Sequence, residues 1–380
     1  MSTYLAVAFN LPVRKLFWYK ASSSFRGEFQ IGQRVVAPFR NKNLKGFIAE
    51  ISEKHPGGKL KEIESIFDKT SPFSIFLIRL AFWMADYYAC SLGQVFHSIF
   101  PFSYPYDGED EQTEDGKEKS SNSKEPLVYV VNPGEDRFFF FSDLIKKTLS
   151  QQKKALILVP EIGLIDGFQK RLQKHGISSM IFHSKLPSKE RYRRWIAMKK
   201  GEVDVVVGTR SGVFAPLKEI GLILVDQEES LEYKQKETPK YSVHKVALKR
   251  GEIEGFPVYL STYSPSLDSW YKVKTKKYRK ISVKSEKKSF LEVVVDLKKE
   301  PKKNRIFSGI LQEKIKEALE EKSSILLFVP RRGYASFLLC DDCGEVIRCP
   351  DCSITLNFHL GREMVCHWCG FRKKAPSLCP

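Results

Sequence analysis

Apolar positions in the first sixty residues fall in short β-rich runs, and these predict strands at Tyr4–Phe9 and over residues 33–37. Pro12 and Pro38 punctuate them, and Gly32 and Gly46 stand at turn positions. Ser71-Pro72 then opens an amphipathic helical pattern over residues 74–89. Residues 106–125 show no period and no apolar anchor, which predicts a linker. From Pro126 onward continuous apolar runs appear at 127–131, 155–159, 179–182, 203–207, 222–225 and 258–260, with helical patterns such as 142–152 and 189–199 between most of them. Strands apolar on both faces and joined by helices predict a parallel α/β sheet. A helix over 307–321 and an apolar run at 324–329 predict the start of a further unit, which leads into a cysteine-rich tail.

Composition narrows the class. With 380 residues, 42% of them hydrophobic, the chain can bury one to three cores and is neither disordered nor fibrous. Its most apolar stretch, residues 74–90, contains Arg79 and Asp86, so no membrane span is expected. The first twenty residues lack a secretory pattern, and the expected location is the cytoplasm, with no membrane partner. Formal charge is +18, yet residues 107–125 hold eight acids against three lysines, which leaves +23 on the remainder. That excess points to a polyanion, since each Lys or Arg set on a phosphate releases counterions. A plain solubility charge is the alternative, and charge alone leaves both open.

Seven of the eight cysteines lie in the last 41 residues: Cys340, Cys343, Cys349, Cys352, Cys366, Cys369 and Cys379. In a cytoplasmic chain, three Cys-x-x-Cys pairs are metal knuckles, because the two-residue gap lets both thiolates face one tetrahedral ion. Gly344 and Gly370 follow their knuckles, where a tight turn often needs positive φ. Zinc is the expected ion. Two ions want eight ligands and the tail supplies seven, so one complete site and one site short of a ligand are expected. His359 and His367 are the available substitutes.

Five strings follow one another along the chain: Val159-Pro160-Glu161-Ile162-Gly163-Leu164, then Gly208-Thr209-Arg210-Ser211 with Phe214-Ala215-Pro216, then Tyr233-Lys234-Gln235, then Ser264-Pro265-Ser266-Leu267, and last Arg331-Arg332-Gly333-Tyr334-Ala335. In that order they resemble motif Ia, the DNA-contacting Ib segment, part of the aromatic-rich loop, the end of motif III and the segment before the cysteine tail in the primosomal replication-restart helicase family, PriA. Phe17, Pro38-Phe39 and Ala85-Asp86-Tyr87-Tyr88 resemble that family's N-terminal 3′-DNA-end-binding domain. The resemblance implies DNA contacts at Phe17, Thr209, Arg210, Tyr233 and Lys234. Arg40, which stands where the family has Gly, is added as a phosphate contact. Where the family has a Phe-Asp pair the chain reads Phe17-Trp18, so base stacking on Phe17 is expected to outlast recognition of a 3′-hydroxyl. Implied partners are forked or single-stranded DNA, single-stranded-DNA-binding protein and other primosome components.

The departures from the family concern the nucleotide. Its motif I is a phosphate loop ending Gly-Lys-Thr, but here Asn132-Pro133-Gly134-Glu135-Asp136-Arg137 follows the first strand of the lobe. Asp136 replaces the Lys that should meet the β/γ-phosphates, Arg137 replaces the magnesium-binding Thr, and Pro133 removes an N–H donor. Motif II, Asp-Glu-x-His in the family, reads Asp226-Gln227-Glu228-Glu229, so the acid that helps activate water is an amide. Motif III reads Ser261-Thr262-Tyr263, and the arginine-bearing motifs of the family's second lobe lie past Pro380. No intact catalytic residue, no ATP and no helicase activity are expected. The alternative is an ATP-dependent 3′-to-5′ helicase with an unrecognised nucleotide site or a second polypeptide.

The expected architecture is therefore multidomain: a β-rich 3′-DNA-end-binding-like domain at 1–105, an acidic linker in place of the family's winged helix at 106–125, and a RecA-like lobe with a degenerate nucleotide site at 126–285. The start of a second lobe at 286–339 and a zinc module at 340–380 follow. The resemblance implies interleaved zinc sites, Cys349/Cys352/Cys366/Cys369 around one ion and Cys340/Cys343/Cys379 around another. Spacing alone also permits a sequential grouping of Cys340/Cys343 with Cys349/Cys352.

Overall fold

The structure is a computed structural model describing residues 3–21, 25, 29–108, 127–132, 137–283, 292–301, 307–328, 337–340, 342–359, 361 and 363–379. The chain forms two units, residues 1–288 and 289–380.

In the first unit, β1 (Tyr4–Phe9), β2 (Phe17–Lys20), β3 (Arg34–Phe39), β4 (Lys42–Ser52), β5 (Lys61–Glu62) and β6 (Ser65–Ile66) make one sheet in the order β5-β2-β1-β4-β3-β6. Its pairings are antiparallel except β2 with β5. Leu5, Val7 and Phe9 alternate into a core with Tyr19, Val35 and Ile48. Ala8, Phe47 and Ala49 join a second cluster with α1 (Ile75–Tyr87) and α2 (Leu92–Ile99). Ser74 caps α1, its hydroxyl accepting from the Leu77 N–H, and Ser91 with Gln94 forms a capping box on α2. Gly93 lets α2 lie against the backbone of β1, since a Cβ there would come within 1.9 Å of the Phe9 carbonyl oxygen.

The same unit continues through β7 (Val128–Asn132), α3 (Arg137–Ser150), β8 (Lys154–Leu158), α4 (Ile165–Lys174), β9 (Met180–Phe182), α5 (Ser188–Lys199), β10 (Val205–Gly208), β11 (Ile220–Val225), α6 (Val243–Glu254), β12 (Val258–Ser261), α7 (Leu267–Lys274) and β13 (Arg279–Ser282). The strands form a seven-stranded sheet, β13-β7-β12-β11-β8-β10-β9, parallel at every pairing. Leu156 and Leu158 enter one apolar cluster while Ala155 and Ile157 enter another, so the sheet is covered on both faces as its apolar runs require.

The β-rich part and the parallel sheet share a core. Phe100 and Phe102 pack on Trp195 at 5.3 and 5.9 Å between ring centroids, and the Tyr192 hydroxyl donates to the Pro105 carbonyl at 2.8 Å. On another side the Ser242 N–H donates to the Tyr88 hydroxyl at 3.1 Å.

In the second unit, α8 (Gly309–Glu320) is capped by Ser308. β14 (Asn357–His359), β15 (Glu363–Val365) and β16 (Arg372–Lys374) form an antiparallel sheet. Over its described residues, 324–328, the apolar run forms neither helix nor strand. Leu326 and Phe328 are exposed, and no described strand pairs with the segment to take up its backbone groups.

Candidate functional site

The C-terminal ends of β7, β11 and β12 converge where an α/β sheet of this kind places its ligand. Asp226, directly after β11, is buried, and its Oδ1 accepts from the Ser261 hydroxyl at 3.0 Å. Arg137 begins α3, and its guanidinium lies 3.4 Å from that same Oδ1. Burial raises the Asp226 carboxyl above its ordinary pKa, while the Arg137 charge and the Ser261 hydroxyl oppose the rise. The guanidinium also lies over the rings of Phe138 and Tyr263, at 5.0 and 5.9 Å. Gln227 has φ of +54°, in the left-handed region. Asp136 and the loop 133–136 lie outside the described residues, as does Arg331-Arg332-Gly333-Tyr334-Ala335.

Glu228, the variable position of motif II, is a buried carboxylate that sequence reasoning passed over. It accepts from the Ser266 N–H at 2.9 Å and the Ser269 hydroxyl at 3.0 Å, fastening the motif to the first turn of α7. Burial raises its pKa, and these hydrogen bonds counter the shift. Ser266 and Ser269 lie 38 and 41 residues further along the chain, so no local signal in the sequence marked this contact.

The candidate DNA residues separate into two groups. Phe17 and Phe39 meet edge to face at 5.0 Å, with Phe9 behind them, and the Arg40 guanidinium lies 5.8 Å from the Phe39 ring. Arg40 has φ of +53°, which is why glycine suits this turn and why arginine there is strained. In the second group, Thr209 is buried at the start of a short 3-10 turn. Arg210 donates to the Glu232 carbonyl at 3.0 Å and to the Tyr241 side chain, which ties residues 209–214 to residues 231–241. Tyr233 needs correction as a DNA contact. It is 1% exposed, with its hydroxyl 2.8 Å from the Leu158 carbonyl and 2.7 Å from that of Asp226. A ring that fastens two strand ends offers no face to a base. Lys234, its neighbour, is exposed.

The cysteine tail folds into two sulfur clusters. The Sγ atoms of Cys349, Cys352, Cys366 and Cys369 all lie within 4.8 Å of one another, as do those of Cys340, Cys343 and Cys379. Tetrahedral zinc–sulfur bonds of about 2.3 Å set sulfurs about 3.8 Å apart. Observed separations are 3.5 Å for Cys349–Cys369, 3.9 Å for Cys352–Cys366 and 3.4 Å for Cys343–Cys379. Each of the three knuckles is followed by a left-handed residue, Gly344, Ser353 and Gly370, with φ of +76°, +59° and +81°. Backbone N–H groups of Cys369 and Trp368 hold the Cys366 thiol down to about 7, and a divalent ion would complete what they begin. Neither candidate histidine belongs to a cluster. His359 and His367 face each other instead, Nε2 to Nε2 at 2.8 Å.

A parallel RecA-like lobe, a β-rich domain packed against it and a cysteine ribbon in that order define a helicase-type protein that carries a zinc-binding module. Residues 6–101 match the family described as the PriA 3′-DNA-binding domain (3′BD), and residues 349–374 match the PriA DNA helicase Cys-rich region (CRR) domain. The chain belongs to the PriA family of replication-restart proteins. It is 28% identical to the replication restart protein PriA of Treponema pallidum, over 100% of this chain and 62% of that protein. Identity is 30% to that of Rickettsia prowazekii, over 97% and 60%, and 35% to that of Bacillus subtilis, over 68% and 33%. The chain thus spans about three-fifths of the length of the first two relatives. Among solved structures, RecG bound to a three-way DNA junction is similar at 12% identity and a TM-score of 0.32, over 43% of this chain and 22% of that one. At that level it adds nothing to the topology described above. Among the described residues no helix is long and apolar enough to cross a membrane.

Proposed function

We propose that this chain holds branched or single-stranded DNA in replication restart, engages primosome partners, and turns over no nucleotide. One observation carries the last clause: the Arg137 guanidinium stands on Asp226, 3.4 Å from its Oδ1. In a working site of this class a hydroxyl at the position of Arg137 and a carboxylate at that of Asp226 both face magnesium. Here the chain supplies its own cation between them. A metal would have to displace a guanidinium from a carboxylate that is only 2% exposed. Gln227 adds to this, since an amide cannot act as the carboxylate that helps activate water.

The test is nucleotide binding by the full chain, with and without DNA. No binding at micromolar ATP and no DNA-stimulated hydrolysis are expected. Either activity would replace this reading with that of an ATP-dependent helicase.

DNA binding itself is expected to weaken steeply with salt, because +23 outside the acidic segment places phosphate contacts in command. A protein making about six phosphate contacts loses about a thousandfold in affinity between about 50 and 200 mM salt. Affinity that stays flat across that range would end the polyanion reading.

A further inference from the structure

The outward face of α7 has the wrong chemistry for a solvated helix. Its inner side is fixed by Glu228, which accepts from Ser266 and Ser269. Its outer side carries Leu267, Trp270, Tyr271 and Lys274, all exposed and spaced i, i+3, i+4 and i+7, so they form one stripe. Trp270 is 41% and Tyr271 65% exposed, and the Lys274 ammonium lies 4.8 Å from the Trp270 ring centroid. The chain then runs through Lys276 and Lys277 into β13, the edge strand of the sheet, where Arg279 and Lys280 are exposed.

Charge on this face is predominantly positive. From Tyr263 to Lys280 the sequence holds six cations and one acid, Asp268. That acid is already taken up, by Lys245 at 2.8 Å and Lys272 at 3.2 Å. Among the described residues no carboxylate pairs with Lys274, Lys276, Lys277, Arg279 or Lys280. Two exposed aromatic faces set among unpaired cations match the requirements of a single-stranded polynucleotide, which offers bases to stack and phosphates to neutralise. A protein partner would ask for a groove or a larger apolar area, and three side chains supply neither.

The geometry points to a further single-stranded-DNA site on α7 and β13, outside the 3′-DNA-binding domain and additional to the Thr209, Arg210 and Lys234 group, with Trp270 and Tyr271 stacking bases and Lys274, Lys276, Lys277 and Arg279 taking phosphates. It rests on the DNA-binding reading above and adds a strand path that needs no free end.

Closed-circular single-stranded DNA, which has no 3′ end, separates this site from the end-binding domain. A 3′-ended oligonucleotide serves as the reference ligand. Trp270→Ala/Tyr271→Ala in the full chain is expected to bind the circle about tenfold more weakly, with the salt slope unchanged, since stacking is lost and phosphate contacts remain. Lys276→Ala/Lys277→Ala is expected to weaken binding and to flatten the slope by about 0.7 per lysine removed. All four side chains are on the surface, so circular dichroism and melting temperature should stay those of the parent. Equal affinity of parent and both variants for the circle overturns the proposal, and leaves an acidic protein surface as the face's occupant. A parent that binds the 3′-ended strand but not the circle also overturns it, with the DNA-binding reading intact. A parent that binds neither overturns both.

Discussion

Serine at Cys366 is expected to release the ion of the inner cluster under mild chelation, whereas serine at Cys340 is expected to leave that ion in place. The sulfur positions dictate the asymmetry. Cys366 lies with Cys349, Cys352 and Cys369, and Cys340 lies with Cys343 and Cys379. Four thiolates close a tetrahedron, and the free energy of such a structural zinc site is about 10–16 kcal/mol in isolated fingers at neutral pH. Much of that is folding energy here. Cys349 and Cys366 are themselves buried and pack with Ile347, Leu356 and Met364, so loss of the ion should also loosen the β14–β16 sheet. Cys349→Ser is expected to destroy the tight site whichever grouping holds, and so serves as the positive control. Zinc retained after chelation and the circular dichroism of each variant are the measurements. Loss of the tight ion in Cys340→Ser with retention in Cys366→Ser would establish the sequential grouping instead.

How much of this was legible depended on the range of the interactions. β1 is read from its apolar run to the residue, Tyr4–Phe9, because alternate side chains fill one core. The inner strands of the parallel sheet announce themselves because burial on both faces leaves no room for polar residues, whereas the exposed edge strand β13, Arg-Lys-Ile-Ser, carries no such run. The zinc ribbon was legible because knuckle chemistry is local, and even there Ser353 stands at φ +59° where the other two knuckles have glycine. What failed was long-range. Tyr233 sits in a polar stretch and looks like a surface ring, but the carbonyl of Leu158, 75 residues away, draws its hydroxyl inward. Asp226 and Arg137 each read as a degenerate motif position. That they meet, 89 residues apart, could be seen only in three dimensions. The continuity of the β-rich domain with the parallel sheet was likewise hidden, since Phe102 and Trp195 show no common period.

Asp68→Ala is expected to destabilise the β-rich domain by about 3–5 kcal/mol, the penalty of leaving a buried charge without its partner. Arg34 and Asp68 form the most deeply buried ion pair of the chain's described residues, with side chains 4% and 0% exposed. The guanidinium binds the carboxylate through two bonds of 2.7 Å, Nε to Oδ2 and a terminal nitrogen to Oδ1. It also donates to the carbonyls of Phe102 and Tyr104 and lies between the rings of Phe67 and Phe100, at 4.8 and 4.7 Å. Asp68 in turn accepts the backbone N–H groups of Arg34 at 3.1 Å and Tyr106 at 2.7 Å. The pair therefore pins residues 102–106, the stretch carrying Phe102 and Pro105 against α5, to the edge of the sheet. Removing both charges with Arg34→Met/Asp68→Leu is often harmless for an isolated buried pair. Here it should recover little, because the Phe102 carbonyl and the N–H groups of Arg34 and Tyr106 would be orphaned in the interior, at about 1–3 kcal/mol each. Urea unfolding of the single and double variants measures both effects. Parent-like stability in Asp68→Ala would show that water reaches the site and that residues 102–106 are held by their aromatic contacts alone.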